Sequence, residues 1–160
     1  MEIEMKIRGL MMDPVTQLPI VILKDVGSET LLPIWVGVFE ANAIALEIEK
    51  VATPRPMTHD LIRSVLSGLD AFVHRVVVTE LRSDTFYAVI WLERNGKIIS
   101  IDSRPSDALA LALRADCPIY VDEEVLRSAK SSNVDSERSH EELKKFLEGL
   151  NDEDLGKYKM

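Results

Sequence analysis

Cysteine is almost missing from this sequence: Cys117 is the only one among 160 residues. No internal disulfide can form, which fits a reducing compartment and leads us to expect a cytoplasmic protein. A cysteine-based zinc site is excluded as well, and three scattered histidines leave little for a His-rich one. No apolar run reaches the roughly 18 residues that a membrane span requires. The opening Met1-Glu2-Ile3-Glu4-Met5-Lys6 alternates charged with apolar residues where a secretory signal would need an unbroken apolar stretch. Glycine and proline number only seven each, so neither a fibrous nor a low-complexity composition applies. Basic residues are also in deficit, 19 against 27 acidic, for a formal net charge of -8. That sign argues against general, high-affinity binding of DNA or RNA, which draws on a basic surface. It leaves room for a local basic patch, or for a metal that bridges an acidic site to phosphate.

What is present is enough for a real core. At 46% hydrophobic residues, a chain of 160 is of the size of one compact domain. Period-two alternation over 2–10 predicts a half-buried strand, and the β-branched run at 18–23 a second. A third strand at 31–36 contains Pro33, which cannot donate to a ladder and so points to a sheet edge. The period then changes, and 38–51 reads as a helix. Thr53-Pro54-Arg55-Pro56 breaks the chain, after which Thr58 is placed to cap a short helix through Leu61, Ile62, Val65, Leu66 and Leu69. Strands follow at 72–81 and 86–92, then one at 98–101 behind Asn95-Gly96, the strongest hairpin signal in the chain. A helix over 105–115, a strand at 119–121 and a helix capped by Asp122 complete the domain.

Shifting the chain by 67 positions lays Glu40-Ala41-Asn42-Ala43-Ile44-Ala45-Leu46 on Asp107-Ala108-Leu109-Ala110-Leu111-Ala112-Leu113. The same shift matches strand positions, so each half reads as strand, strand, strand, buried helix, shorter helix. The expected fold class is α+β: two duplicated halves, a mostly antiparallel sheet, and buried Ala-rich helices packed on it. The domain is expected over 1–130, with a polar linker at 131–139. An acidic tail at 140–160 carries an amphipathic stripe of Leu143, Phe146, Leu147 and Leu150. Exposed edges and apolar stripes of this kind suggest a homodimer.

The densest polar cluster is Asp102-Ser103-Arg104-Pro105-Ser106-Asp107, at a strand-to-helix junction. It fits an anion or cation site, and it equally fits an ordinary helix start with Ser or Asp at the cap; spacing alone favours capping. Glu40 occupies the matching position in the first half, ahead of a very apolar helix, and Arg104 is its obvious partner. His59 could serve as a general base or metal ligand, but spacing favours an exposed histidine at a helix start. Trp35 and Trp91 read as core or sheet-face residues.

Leu32-Pro33-Ile34-Trp35-Val36-Gly37 with Glu40-Ala41, then Pro54-Arg55-Pro56 with Thr58-His59-Asp60, resembles the bifunctional nuclease domain family. Ser103-Arg104-Pro105-Ser106-Asp107-Ala108 and Pro118-Ile119-Tyr120-Val121 resemble its second hallmark, and the likeness covers about residues 1–130. The resemblance implies an α+β fold and hydrolysis of phosphodiester bonds in both DNA and RNA. It marks Glu40, His59 and Asp107 as catalytic candidates, and Arg55, Arg104 and Ser106 as substrate-binding ones. Phosphodiester hydrolysis by carboxylates in turn implies Mg²⁺ or Mn²⁺, with Glu40 and Asp107 the candidate ligands and no organic cofactor. The alternative is a non-catalytic regulatory or ligand-binding protein with the same fold, a reading that the acidic charge favours.

Overall fold

In the computed structural model, residues 1–132 are described; the tail stripe and nearly all of the expected linker lie outside them. Eleven elements follow one another as β1 (Glu2–Met12), β2 (Pro19–Asp25), β3 (Leu31–Trp35), α1 (Val38–Ile48), α2 (Thr58–Gly68), β4 (Ala71–Arg82), β5 (Thr85–Arg94), β6 (Lys97–Ser103), α3 (Pro105–Ala115), β7 (Ile119–Asp122) and α4 (Glu123–Ser132). The last helix runs on into the first residues of the expected linker.

Seven strands form one sheet in the order β3-β2-β1-β7-β4-β5-β6. Among the described residues only the β4–β7 pair is parallel; the other five ladders are antiparallel. The order is symmetric about β7, with β1, β2 and β3 on one side matching β4, β5 and β6 on the other. α1 and α3 each span 11 residues and start 67 positions apart, the offset at which the sequence matches itself. The α+β class and the two similar halves are therefore visible in the topology. β7 is the exception, for the corresponding segment of the first half, residues 52–55, is not a strand.

Local chemistry explains the turns. Asn95 and Gly96 take φ of 52° and 75°, the left-handed pair that a tight right-twisting hairpin needs. Pro33 sits on edge strand β3, where a missing N–H leaves no ladder bond unmade. The Asp122 carboxylate accepts from the Glu124 backbone N–H at 2.9 Å and so caps α4. At the start of α2 the expectation is corrected: Met57 is the cap residue and Thr58 already helical, because the Asp60 carboxylate reaches back to the Met57 N–H at 2.9 Å.

The core lies between the sheet and the α1/α3 pair. Ala41, Ala43 and Ala45 on α1 and Ala108, Ala110 and Ala112 on α3 are buried beside Ile44, Leu109 and Leu111. Small side chains let the two helices approach closely, with α3 seated on β4 and β5 and α1 on β1 and β2. Trp35 is half-exposed at the sheet edge, its indole N–H donating to Asp13 Oδ2 at 2.8 Å. None of the helices of the described residues is long and apolar enough to cross a membrane.

α2 is amphipathic in an inverted sense. It turns His59, Asp60 and Leu66 inward, toward α3 and β4. Leu61, Val65 and Leu69, spaced by one turn, stay exposed at 55%, 50% and 54%. At the far sheet edge, β6 likewise leaves Ile98, Ile99 and Ile101 exposed.

Candidate active site

Three helices begin at one place. Gly37, Met57 and Arg104 are the cap residues of α1, α2 and α3, and none makes a side-chain capping hydrogen bond to its helix. Their first turns line a cleft of about 360 Å³ together with Asn42, Ala43 and Leu46. The positive ends of three helix dipoles make such a place attractive to negative charge, and the Glu40 and Asp60 carboxylates already accept backbone N–H groups there.

Two carboxylates and a guanidinium already occupy it. Arg104 Nη2 donates to Glu40 Oε1 at 2.6 Å, and Arg104 Nε to Asp107 Oδ2 at 3.0 Å. The partner expected for Glu40 is thus the one observed, and Arg104 joins the two halves of the duplication. The expectation of ordinary capping in the 102–107 cluster is corrected, since Asp107 spends its oxygens on Arg104 and His59 instead. Arg104 keeps 65% of its side chain exposed, so it can exchange partners without being uprooted.

His59 is not the exposed residue that spacing favours. It is 6% exposed, the second residue of α2, and its Nε2 lies 2.9 Å from Asp107 Oδ1. Burial pushes the Asp107 carboxyl up, but the bonds to His59 and Arg104 outweigh it and hold the group below its ordinary 3.8. An ionised Asp107 has no proton to give, so His59 Nε2–H is the donor. Glu40 is lowered too, first by its own backbone N–H and then by Arg104. Its carboxylate folds back over Gly37 so closely that a methyl group on residue 37 would overlap it.

The remaining candidates fall elsewhere. Ser106 is buried in the first turn of α3 and does not line the cleft. Arg55 lines a neighbouring cleft, also of about 360 Å³, on the other side of the α2 start. One residue that sequence reasoning passed over matters structurally. Arg114 has 2% of its side chain exposed and donates to Asp60 Oδ1 at 2.7 Å, Ala110 O at 2.8 Å and Ala43 O at 2.9 Å. It ties α3 to both other helices, and a single charge closing a helix as apolar as 108–113 was the available signal.

Donor chemistry bears on the metal expectation. Glu40 and Asp107 are bridged by Arg104, a cation already placed where a divalent ion would join them. Among the described residues no three His, Cys, Asp or Glu side chains group as a metal site needs. As arranged, these donors do not fit Mg²⁺ or Mn²⁺, and the chemistry below is derived from the side chains alone.

Comparison with known proteins places the chain in a family. An uncharacterized protein of Mycobacterium tuberculosis is 36% identical over 162 aligned positions, covering 95% of this chain and 97% of its own. The Oryza sativa subsp. indica protein named bifunctional nuclease 1 is 29% identical over 109, or 66% of this chain. Bifunctional nuclease 2 of Arabidopsis thaliana is 28% identical over 120, or 73% of this chain. The aligned regions make up 33% and 36% of those two plant proteins, so the chain spans about a third of their length. Residues 21–134, from β2 to past the end of α4, match the bifunctional nuclease domain, and the chain belongs to that family.

Proposed function

We propose that this chain hydrolyses phosphodiester bonds of nucleic acid, with the cleft between the three helix starts as its active site. The observation that carries the reading is the Asp107–His59 hydrogen bond in a cleft that also holds Arg104. A phosphate entering it meets the positive ends of three helix dipoles and a guanidinium, which favour the charge that builds on phosphate oxygens. Arg104 would turn from Glu40 toward the phosphate. Asp107 holds the imidazole by Nε2, which leaves Nδ1 to take a proton from attacking water. The same proton then serves the departing sugar oxygen as its bond to phosphorus breaks. Glu40 keeps Arg104 aimed while the cleft is empty. DNA and RNA are both candidate substrates, since nothing in this arrangement addresses a 2′-hydroxyl.

The test is cleavage of labelled single- and double-stranded DNA and RNA in Mg²⁺, Mn²⁺ or chelator, beside Asp107→Ala and His59→Ala. The reading expects both variants to lose cleavage while staying folded. Cleavage that survives the double removal of Asp107 and Glu40 would refute it. A second reading, a regulatory or ligand-binding protein, is favoured by the net charge of -8 and by Arg104 being held between two acids. Anion binding without turnover would decide for it.

The reading also includes a cytoplasmic homodimer. Exposed Leu61, Val65 and Leu69 on α2 and the isoleucines of edge strand β6 are surfaces that a second copy would cover. Light scattering at micromolar concentration is expected to return twice the chain mass of 18.0 kDa, and a monomer mass would overturn this part.

A further inference from the structure

On the nucleic-acid reading, a chain with a net charge of -8 has to attract a polyanion, and the side chains of the proposed active-site cleft add little positive charge to its helix dipoles. There, Glu40 and Asp107 outnumber Arg104. The neighbouring cleft is different. It is lined by Thr53, Pro54, Arg55, Pro56, Asp60, Arg63 and Ser64. Its one acid, Asp60, is matched from below by buried Arg114 at 2.7 Å. Neither Arg55 nor Arg63 has an ion-pair partner among the described residues. Arg63 donates one Nη1 bond to the Arg114 carbonyl at 2.8 Å, which fixes its position and leaves its other N–H groups unspent among the described residues. Arg55 is held between Pro54 and Pro56, whose fixed φ stiffens the rim that carries it. The cleft therefore presents two uncompensated guanidinium groups from a rigid frame.

Its position relates it to the first cleft. His59 faces the catalytic cleft and Arg63 this one, four residues apart on α2, which is about 6 Å along the axis. A single helical turn separates them. We propose that the Arg55–Arg63 cleft is a second phosphate subsite, which takes the backbone phosphate next to the one being cleaved in a single-stranded polynucleotide. The proposal rests on the nucleic-acid reading of the chain and names its substrate class: a strand of several nucleotides rather than a mononucleotide.

The experiment is fluorescence anisotropy of a labelled short oligothymidylate with the full chain in chelator, across roughly 50 to 200 mM salt. Arg55→Gln/Arg63→Gln is expected to bind about tenfold more weakly and to flatten the log–log salt slope by about 1.4, for two lost single-strand phosphate contacts. Arg55→Gln alone, which removes no side-chain bond found among the described residues, is expected to show about half of that change in slope. Thymidine monophosphate should compete poorly. Equal affinity and slope in wild type and double variant would overturn the subsite, as would wild type that fails to bind. Displacement by oligoglutamate of matched charge as effective as unlabelled oligothymidylate would do the same, by showing an acidic-peptide site instead. Binding is read apart from cleavage, so an inactive protein whose binding depends on these arginines keeps the subsite and loses only the nuclease. A cleaving protein indifferent to them does the reverse.

Discussion

Replacing Arg114 by methionine should damage the scaffold far more than replacing Arg104, although both arginines, one within α3 and one at its cap, are paired with acids. The Arg114 side chain is 2% exposed and makes three hydrogen bonds, to Asp60 and to two helix carbonyls. Methionine fills similar space but removes the charge, so Asp60 loses its counter-ion and the Ala43 carbonyl its donor. Removing one partner of a buried pair costs about 3–5 kcal/mol. Asp60 retains 34% exposure, and water can relieve part of that, which places the expected loss near the lower end. At about 2–4 °C per kcal/mol for a chain of this size, the melting midpoint should fall by roughly 6–12 °C. Arg104→Ala acts on a 65% exposed side chain and should cost no more than about 1 kcal/mol. Thermal and urea unfolding followed by circular dichroism would compare the two. Adding Asp60→Asn to Arg114→Met should recover part of the loss, because the stranded carboxylate is then gone. If Arg114→Met melts within 2 °C of Arg104→Ala, as about 1 kcal/mol or less would give, the assignment of Arg114 as the tie among the three helices is wrong.

Gly37→Ala should leave folding nearly intact, since its φ of -69° suits alanine, yet push the Glu40 carboxylate off Arg104. Phosphate affinity measured by isothermal titration should change at least as much as in Glu40→Gln, and an unaltered isotherm would contradict the overlap. Asp107, Glu40 and Asp60 all have folded values below their ordinary ones, so each stabilises the fold fully above its unfolded value, 3.8 for Asp and 4.5 for Glu. That contribution is lost as pH falls through the lower folded values. Urea midpoints should be flat near neutrality and drop below about pH 4, less steeply in Asp107→Asn; a steeper drop in the variant would reverse the sign. Burial pushes the Cys117 thiol up to about 11, so iodoacetamide should label the folded protein slowly at neutral pH and quickly in denaturant. Equal rates would show an open thiol.

Where local chemistry dictates structure, the sequence could be read closely. Pro105 sets the start of α3, Asn95-Gly96 the β5–β6 hairpin, and the 67-residue self-match the pairing of α1 with α3. The Glu40–Arg104 contact was also legible, because an acid ahead of an apolar helix needs a counter-charge and the second hallmark offers one. Contacts between distant segments were not. His59 looks like any histidine in a first helical turn until α3 brings Asp107 against it from 48 residues away. α2 misleads for a related reason: its apolar stripe would ordinarily face the core, but His59, Asp60 and Arg63 are claimed by α3. Their hydrogen bonds fix which side is inward and leave Leu61, Val65 and Leu69 outside.

The place of β7 at the centre of the sheet has a consequence for how the two halves could diverge. A sheet symmetric about one strand has a single position on its axis, and the two similar halves cannot both fill it. β7 of the second half takes that seat, antiparallel to β1 and parallel to β4. The sister segment, residues 52–55, is left without a ladder and so without the requirement to donate backbone bonds. Prolines are then tolerated, and Pro54 stands where β7 has Val121. Residues 52–55 form instead the arginine-bearing rim beside the α2 start. One seat on the symmetry axis thus leaves one half of the repeat free of the ladder's constraints while the other half is held by them.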